Sequence, residues 1–292
     1  MAPIAISSGD LTARITPLGA ELLSLTDAQG REYMTDADPA YWTGHAPVLF
    51  PIIGALNGGR YRLGEHEYAL PKHGFARTSR FAVIKQAADR ATFRLTDGAE
   101  TRAVYPFAFV LELEFALDSM TMAMTARITN PGAEPLPFSF GFHPAFAWPL
   151  PGGAAKDAHR VVFAAPEPAP VRRIDRVTAL LLPDGEPTPV RGRELVPEAG
   201  LFTRDALIWD YLRSRALRFG AEHGAWLDIA FPDSPNFGIW QKPGAAYLAI
   251  EPWQGYNDPV GFADDFREKP GVVKLAPKAT RAFRMDVKVS AA

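Results

Sequence analysis

Apolar and polar residues alternate with a period of two along most of this chain. In VLELEFAL, Leu111, Leu113 and Phe115 alternate with glutamates, and the same pattern returns in MTMAMTARI, WLDIAF and AFRMDVKV. Such alternation is typical of an antiparallel strand with one buried face and one exposed face. A chain patterned this way from end to end predicts an all-β fold, a large antiparallel β-sandwich or barrel.

Glycines and prolines supply the turns that so many strands need, and the chain has 24 and 27 of them. In RYRLGEHEYAL, the pair Gly64–Glu65 predicts a tight hairpin, because glycine takes a positive φ easily at the first central position of the turn. Helical periodicity is scarce. DALIWDYL (205–212) fits a helix about as well as a buried strand, and FADDFREK (262–269) allows one or two polar turns.

The proline-rich segment 165–198 is predicted to be an irregular excursion over the surface. Strand patterns resume on both sides of it, and no repeat of fixed length is present. The sequence therefore predicts a single domain over residues 1–292.

Charge and cysteine content narrow the class of partner. The 292 residues carry a formal net charge of -2 and no cysteine. A nucleic-acid or membrane-surface partner needs a concentrated basic field, so we expect a small-molecule partner. Without thiolates, zinc would depend on histidines and carboxylates. The sequence has no signal peptide and no apolar stretch of membrane-spanning length, which predicts a cytoplasmic protein.

Two histidines stand in contexts that suggest a site. His143 lies in the aromatic run FSFGFHPAFAW, and Pro144 restricts it to an extended backbone and removes one donor, which favours a strand end that points into a cleft. His73 lies in LPKHGFARTSRF, where it is either a structural histidine or a site residue. By contrast, polar or charged surroundings predict surface positions for His66, His159 and His223.

Glu251 is the acidic counterpart of these histidines. In AAYLAIEPW, Leu248 and Ile250 share one strand face while Glu251 lies on the other, and Pro252 is expected to end the hydrogen-bond ladder. A carboxylate in so apolar a strand is costly to desolvate unless a partner compensates it. That partner is either an arginine or an imidazole in the same cleft, with which the carboxylate would divide acid and base work.

Four motifs in order carry a resemblance that covers nearly the whole chain: HGFAR (73–77), HPAF (143–146), DALIWDYLRSR (205–215) and KPGAAYLAIEPWQGYND (242–258). Together they resemble the aldose 1-epimerases, or galactose mutarotases, and in particular their LacX-like bacterial branch. The resemblance implies a β-supersandwich with a sugar cleft on one sheet. It also implies an interconversion of α and β anomers without a metal or other cofactor.

The same resemblance implies roles for individual residues. His143 would be the general acid that protonates the ring oxygen, and Glu251 the general base at the C1 hydroxyl. His73 would hold the ring or act as a second donor. Asp205 matches the sugar-binding aspartate of the family, with Asp210 as a nearby alternative.

One departure from the family pattern concerns the substrate. Relatives usually carry a substrate-binding arginine where this chain has Ala55, so either Arg60 or Arg77 takes its place or the preferred sugar differs. Trp240 and Trp253 are interpreted either as apolar faces for a pyranose or as core residues. We expect neutral aldoses to be preferred over hexose 6-phosphates.

Three functional classes stay open on the sequence. They are an aldose 1-epimerase or the related hexose-6-phosphate 1-epimerase, a non-catalytic sugar-binding or sensing protein on the same fold, and a carbohydrate-active hydrolase or lyase. A glycosidase uses two carboxylates on either side of the bond, and no second carboxylate stands in a context like that of Glu251. The oligomeric state is left open.

Overall fold

A computed structural model describes residues 2–290. Its strands, in chain order, are β1 Ile4–Ser7, β2 Leu11–Thr16, β3 Glu21–Asp27, β4 Val48–Leu49, β5 Arg60–Leu63, β6 His66–Ala69, β7 Ala82–Gln86, β8 Arg90–Thr96, β9 Val110–Asp118, β10 Thr121–Thr129, β11 Leu136–Phe138, β12 Phe140–Phe142, β13 Ala145–Ala147, β14 Arg160–Phe163, β15 Val171–Ile174, β16 Leu181–Glu186, β17 Glu194–Leu195, β18 Leu207–Trp209, β19 Ala216–Gly220, β20 Trp226–Ala230, β21 Asn236–Trp240, β22 Tyr247–Gln254, β23 Val273–Leu275 and β24 Thr280–Ser290.

Helical segments are short and few in this part of the chain. The α-helix α1 spans Ala99–Val104, and single 3-10 turns lie at Asn57–Gly59, Ala76–Thr78, Lys156–Ala158, Ala199–Phe202 and Phe266–Glu268. None of these segments, within residues 2–290, has the length and apolar character that a membrane-crossing helix requires.

Two large antiparallel sheets form the body of the fold. One has nine strands in the order β17-β14-β19-β20-β24-β10-β9-β8-β7, and the other has eight, in the order β16-β15-β18-β21-β22-β12-β4 with β13 also paired to β22. Aromatic rings join the facing sheets: Phe140 of β12 stacks on Phe283 of β24 at 5.3 Å, and Phe163 of β14 meets Trp209 of β18 at 5.9 Å. The predicted all-β sandwich is confirmed.

The apolar and polar residues that alternate in the sequence are alternately buried and outward-facing in the structure. In β9, Leu111 and Leu113 are buried between the sheets while Glu112 and Glu114 face outward. The outward carboxylate of Glu112 pairs with Arg94 of β8 at 2.6 Å. The other large sheet differs, because every residue of β22 but the last is buried. Its outer face must therefore be covered, and the site described below lies on that face.

Residues 165–198 are more regular than expected, so the prediction of an irregular excursion is wrong. The segment contributes β15 and β16 to the eight-stranded sheet and β17 to the nine-stranded sheet. The prolines of this segment argued against strands when only the sequence was considered. Pro183, however, lies in the edge strand β16, where a missing N–H is tolerated.

Three local predictions are settled by the structure. The Gly64 turn joins β5 to β6 with a φ of 59° at that glycine, as predicted. DALIWDYL contains the short buried strand β18, Leu207–Trp209, and no helix, and FADDFREK contains one 3-10 turn, Phe266–Glu268.

The surface prediction is wrong for one of the three histidines. His159 is 1% exposed, its Nε2 accepts the Leu150 N–H at 3.0 Å, and its Nδ1 lies 2.9 Å from the Ala155 carbonyl. Burial lowers the pKa of His159, so it is a neutral structural residue. His66 and His223 are exposed, as predicted.

Candidate active site

Strand register places His143 opposite Glu251. Both β12 and β13 run antiparallel to β22, with Gly141 paired to Trp253 before the histidine and Ala145 paired to Ala249 after it. The intervening residue His143 therefore faces Glu251 across neighbouring strands. Both side chains extend from the outer face of the eight-stranded sheet.

Two prolines interrupt the ladder on either side of this pair. Pro144 follows His143 and Pro252 follows Glu251, and each lacks the N–H that a continuous ladder would use. The prediction that Pro252 ends the strand is wrong, because β22 continues to Gln254. The Pro144 carbonyl still accepts the Ile250 N–H at 3.0 Å, so the strands stay together while the ladder is locally broken.

The two side chains are within ion-pair distance in a buried setting. His143 Nε2 lies 3.1 Å from Glu251 Oε2, and the residues are 8% and 1% exposed. Neither Glu251 Oε2 nor His143 Nδ1 has an aligned hydrogen-bond partner within residues 2–290. Buried polar atoms of this kind are costly in a core and are typical of a site that binds polar groups.

Burial shifts the pKa values of the pair in opposite directions. It raises the pKa of Glu251 well above its ordinary value, and the charge of Asp205 adds to this effect while the indole N–H of Trp253 opposes it. Burial lowers the pKa of His143 to about 3, with a further contribution from the nearby Lys72 and Arg77 charges. Opposed shifts of this kind are typical of acid–base partners.

His73 has both a structural and an exposed nitrogen. Its Nδ1 accepts the Gly54 N–H at 3.1 Å, and its own backbone N–H donates to the Gly54 carbonyl at 2.9 Å. The neutral ring therefore carries its proton on Nε2, and burial keeps it neutral by lowering its pKa well below the ordinary value. The ring centres of His73 and His143 are 6.0 Å apart, so this donor lies beside the pair.

Asp205, and not Asp210, faces the same cavity. Asp205 has a left-handed backbone with a φ of 69°, and its Oδ1 accepts the Ala206 N–H at 2.7 Å. Asp210 is instead paired with Arg172 at 2.6 Å, away from the cavity. The cleft thus holds two carboxylates, Asp205 and Glu251, which weakens the sequence argument against a hydrolase. Glu251, however, has an imidazole as its immediate partner.

Two tryptophans predicted from the sequence line the cavity in different ways. Trp253 is 3% exposed and fills space left by two glycines, because a Cβ at Gly141 or Gly238 would come within 2.5 or 2.7 Å of its ring. It forms part of the floor beneath the cleft. Trp240 is only half-buried and packs edge-on against Trp42 at 5.5 Å, so it forms part of the wall.

Only one of the four arginines near the HGFAR motif reaches the cavity. Arg77 lines it together with Lys72, whereas Arg60, Arg62 and Arg80 are exposed and face other parts of the surface. Arg60 therefore does not stand in for the arginine missing at Ala55, and Arg77 is positioned to do so.

The structure brings all seven predicted site residues to one cavity of about 240 Å³. Cavities of roughly 300–1,000 Å³ hold drug-sized ligands, so this one suits a smaller molecule. Six further residues line it that sequence reasoning did not select, namely Trp42, Lys72, Ile174, Ala206, Ile208 and Asn257. In this cavity two imidazoles, two carboxyl groups and apolar rings surround a space of small-molecule size.

Two of these additional residues, Trp42 and Asn257, lie near sequence features that could have drawn attention to them. Trp42 precedes a glycine at position 44, where a Cβ would come within 2.4 Å of the indole, and its ring packs on His143 at 5.1 Å. Asn257 lies within the motif 242–258, and its Nδ2 donates to the Ala179 carbonyl at 2.7 Å, which leaves Oδ1 for a ligand.

No group of three or more histidine, aspartate or glutamate side chains lies close enough to hold a metal ion in the part of the chain between residues 2 and 290. The expectation of a metal-free reaction stays a prediction.

The fold agrees with comparisons to known proteins. The sequence model of the aldose 1-epimerase family matches residues 4–276, so this chain belongs to that family. Its fold and family make it a carbohydrate epimerase, an isomerase. The plasmid-encoded protein LacX of Lactococcus lactis subsp. lactis is 31% identical over 288 residues, which cover 96% of each chain.

Solved structures show the same architecture. A galactose mutarotase-related enzyme from Lactobacillus acidophilus superposes with a TM-score of 0.90 at 29% identity, covering 99% of this chain and 97% of that one. A galactose mutarotase-like protein from Lactobacillus casei gives a TM-score of 0.91 at 29% identity, covering 99% and 100%. The resemblance predicted from the four motifs is confirmed.

Proposed function

We propose that this protein interconverts the α and β anomers of a free aldopyranose by acid–base catalysis, with His143 and Glu251 as the proton-transfer groups. The observation that carries this proposal is a buried imidazole and carboxyl, 3.1 Å apart, at one small cavity. Mutarotation proceeds slowly in water, so placed proton transfers, each worth roughly 10²- to 10⁴-fold, are sufficient for catalysis.

The proposed reaction requires that His143 and Glu251 together carry one transferable proton before and after each step. With Glu251 ionised and His143 protonated, Glu251 takes the C1 hydroxyl proton while His143 protonates the ring oxygen and the C1–O5 bond breaks. The product is an open-chain aldehyde with a free C5 hydroxyl, and the pair is left as protonated Glu251 and neutral His143. Burial favours this neutral form of both groups.

Ring closure reverses the two transfers. After rotation about the C1–C2 bond, the C5 oxygen attacks the other face of the carbonyl and returns its proton to His143. Glu251 then protonates the former aldehyde oxygen. Each one-proton state of the pair therefore supplies one acid and one base, and no proton is gained or lost over the cycle.

The remaining residues are proposed to hold the sugar. His73 offers its Nε2–H as a neutral donor, since Nδ1 is bonded to Gly54. Asp205 has one carboxylate oxygen occupied by the Ala206 N–H, which leaves Oδ2 to accept from sugar hydroxyls. Trp240 and Trp253 present apolar ring surface of the kind that contacts the C–H faces of a pyranose.

Polarimetry tests this proposal. The purified protein should accelerate the optical-rotation decay of freshly dissolved α-D-glucose or α-D-galactose, and should do so equally after treatment with EDTA. If no member of a broad panel of free and phosphorylated aldoses reacts faster than in buffer, the catalytic proposal fails and the non-catalytic sugar-binding alternative is favoured.

A hexose-6-phosphate 1-epimerase is the second candidate. Lys72 and Arg77 both line the cavity, and a guanidinium grips phosphate oxygens in a bidentate manner. We favour neutral aldoses because Arg60, Arg62 and Arg80, which would complete a basic cluster, lie outside the cavity.

A further inference from the structure

A buried arginine on the neighbouring strand holds the loop that carries Asp205. Arg173 of β15 is 7% exposed, and its Nη1 lies 3.0 Å from the Leu201 carbonyl and 3.2 Å from the carbonyls of both Asp205 and Ala206. The pairing of β15 with β16 shifts register between Arg172 and Ile174, so Arg173 lies at a bulge, a feature that often redirects a side chain.

The positive charge of Arg173 is balanced by the carboxylate of Glu186 on β16. Its Nε donates to Glu186 Oε2 at 3.3 Å, and Glu186 also pairs with Arg204. The guanidinium thus links β16 to three carbonyls of the loop 201–206. Carbonyl groups gathered around one buried cation would lose their donors together if that cation were removed.

The loop needs such support because its backbone is strained. Asp205 is a non-glycine residue with a φ of 69°, a conformation that persists where surrounding contacts hold it. Arg173 holds its carbonyl, and the Ala206 N–H holds its Oδ1 at 2.7 Å. These two contacts fix the direction in which the second carboxylate oxygen meets the cavity.

We propose that Arg173 is a positioning residue for sugar binding, acting through Asp205. It does not line the cavity, whereas its neighbour Ile174 and both Asp205 and Ala206 do. This inference rests on the proposed function, since it takes Asp205 to be a sugar ligand. Loss of Arg173 should therefore weaken sugar binding while leaving proton transfer by His143 and Glu251 largely intact.

The experiment compares Arg173→Met and Arg173→Lys with Arg204→Met. Arg204 shares the Glu186 partner, but its side chain is 52% exposed and lies outside the cavity, which makes it a matched control. We expect Arg173→Met to raise KM about tenfold, equivalent to roughly 1.4 kcal/mol, with kcat changed less than about threefold. Arg173→Lys should give a smaller rise, and Arg204→Met none.

A double-mutant cycle separates positioning from general support of the fold. If Arg173 acts through Asp205, then adding Arg173→Met to Asp205→Asn should raise KM little further. An equal tenfold penalty in both backgrounds would overturn the proposal, as would an unchanged KM in Arg173→Met. If Arg173→Met does not fold, the cycle is run with Arg173→Lys, and a rise in KM of equal size in the wild-type and Asp205→Asn backgrounds overturns the proposal.

Two readouts do not depend on catalysis. Hydrogen exchange at the Ala206 amide, which donates to Asp205, should be faster in Arg173→Met and unchanged in Arg204→Met. Binding of D-galactose, followed by the fluorescence of Trp240 and Trp253, should weaken in parallel with KM. A wild-type protein that binds sugar without accelerating anomerisation refutes the proposed function, whereas unchanged amide exchange and sugar affinity in Arg173→Met refute the positioning role.

Discussion

His143 and Glu251 face each other across neighbouring strands of one sheet, with Nε2 and Oε2 3.1 Å apart. Each residue is followed by a proline that interrupts the backbone ladder at this point. The proposed acid–base pair thus joins Glu251 of β22 to His143, which lies between β12 and β13 of the same sheet, and support by regular strands favours precise geometry.

Removal of either member of the pair should abolish most of the activity. We expect Glu251→Gln and His143→Asn each to lower kcat on the order of 10²-fold or more, because each removes one proton-transfer group. The check is steady-state polarimetry, with circular dichroism to verify the fold. Near-normal turnover by Glu251→Gln would show that the base is assigned wrongly.

Replacement of His73 should have a milder effect that is expressed partly in KM. His73 has a φ of 69°, and asparagine tolerates this left-handed backbone better than most residues. His73→Asn therefore removes the Nε2–H donor while keeping the turn. A loss of kcat as large as that of His143→Asn would instead place His73 in the proton transfer itself.

Glu251 should make the stability of the protein depend on pH. Below its ordinary pKa of 4.5 the carboxyl is protonated whether the chain is folded or unfolded. As pH rises above that value the unfolded chain releases the proton first, because burial raises the pKa in the folded state, so Glu251 destabilises the native protein. We expect Glu251→Gln to melt at a higher temperature than the wild type near pH 7.5 and to lose this advantage near pH 4.

The opposite result has a definite meaning. A Glu251→Gln variant that is less stable than the wild type at neutral pH, and equally stable in acid, would show that the folded state lowers the pKa of Glu251. That outcome would require an ionised Glu251 held by a protonated His143 in the free protein.

A buried ion pair behind the cleft should matter for stability. Lys269 Nζ lies 2.9 Å from Asp258 Oδ1, with side chains 0% and 3% exposed, and the backbone N–H of Asp258 donates to the Ala55 carbonyl. Lys269→Met should lower the free energy of unfolding by about 3–5 kcal/mol, since it leaves a buried charge unpaired. The double variant Asp258→Asn/Lys269→Met should recover part of this loss in urea denaturation, and no recovery would contradict the charge argument.

Substrate charge can be tested with a matched pair of arginines. We expect kcat/KM for glucose to equal or exceed kcat/KM for glucose 6-phosphate. Arg77→Ala should change kcat/KM for glucose more than Arg80→Ala does, because of these two arginines only Arg77 lines the cavity. A phosphate preference of about tenfold or more, worth about 1.4 kcal/mol, would identify a hexose-phosphate epimerase. That preference should then shrink with salt and disappear in Arg77→Ala.

Individual strands and candidate residues could be predicted from the sequence better than the tertiary contacts between them. His143 and Glu251 could be selected because each interrupts an apolar strand and precedes a proline, but only the pairing of β12 and β13 with β22 brings them together. Trp42 lies in a loop without periodicity, and the nearby Gly44 does not indicate that its ring packs on His143.

Prolines caused the main error in the fold prediction. They led us to expect an irregular segment at 165–198, yet its strands provide Arg173 and the cavity-lining Ile174. The single domain over residues 1–292, the absence of a cofactor and the cytoplasmic location stay predictions, as do the roles of the site residues.

The most direct measurement is saturation transfer between the anomeric protons of D-glucose and of D-galactose at equilibrium. Saturating the α signal should reduce the β signal in proportion to the concentration of wild-type protein, and Glu251→Gln should remove this effect while still binding sugar. If the wild-type protein binds these sugars and transfer stays at the rate seen in buffer, catalysis by the His143–Glu251 pair is contradicted.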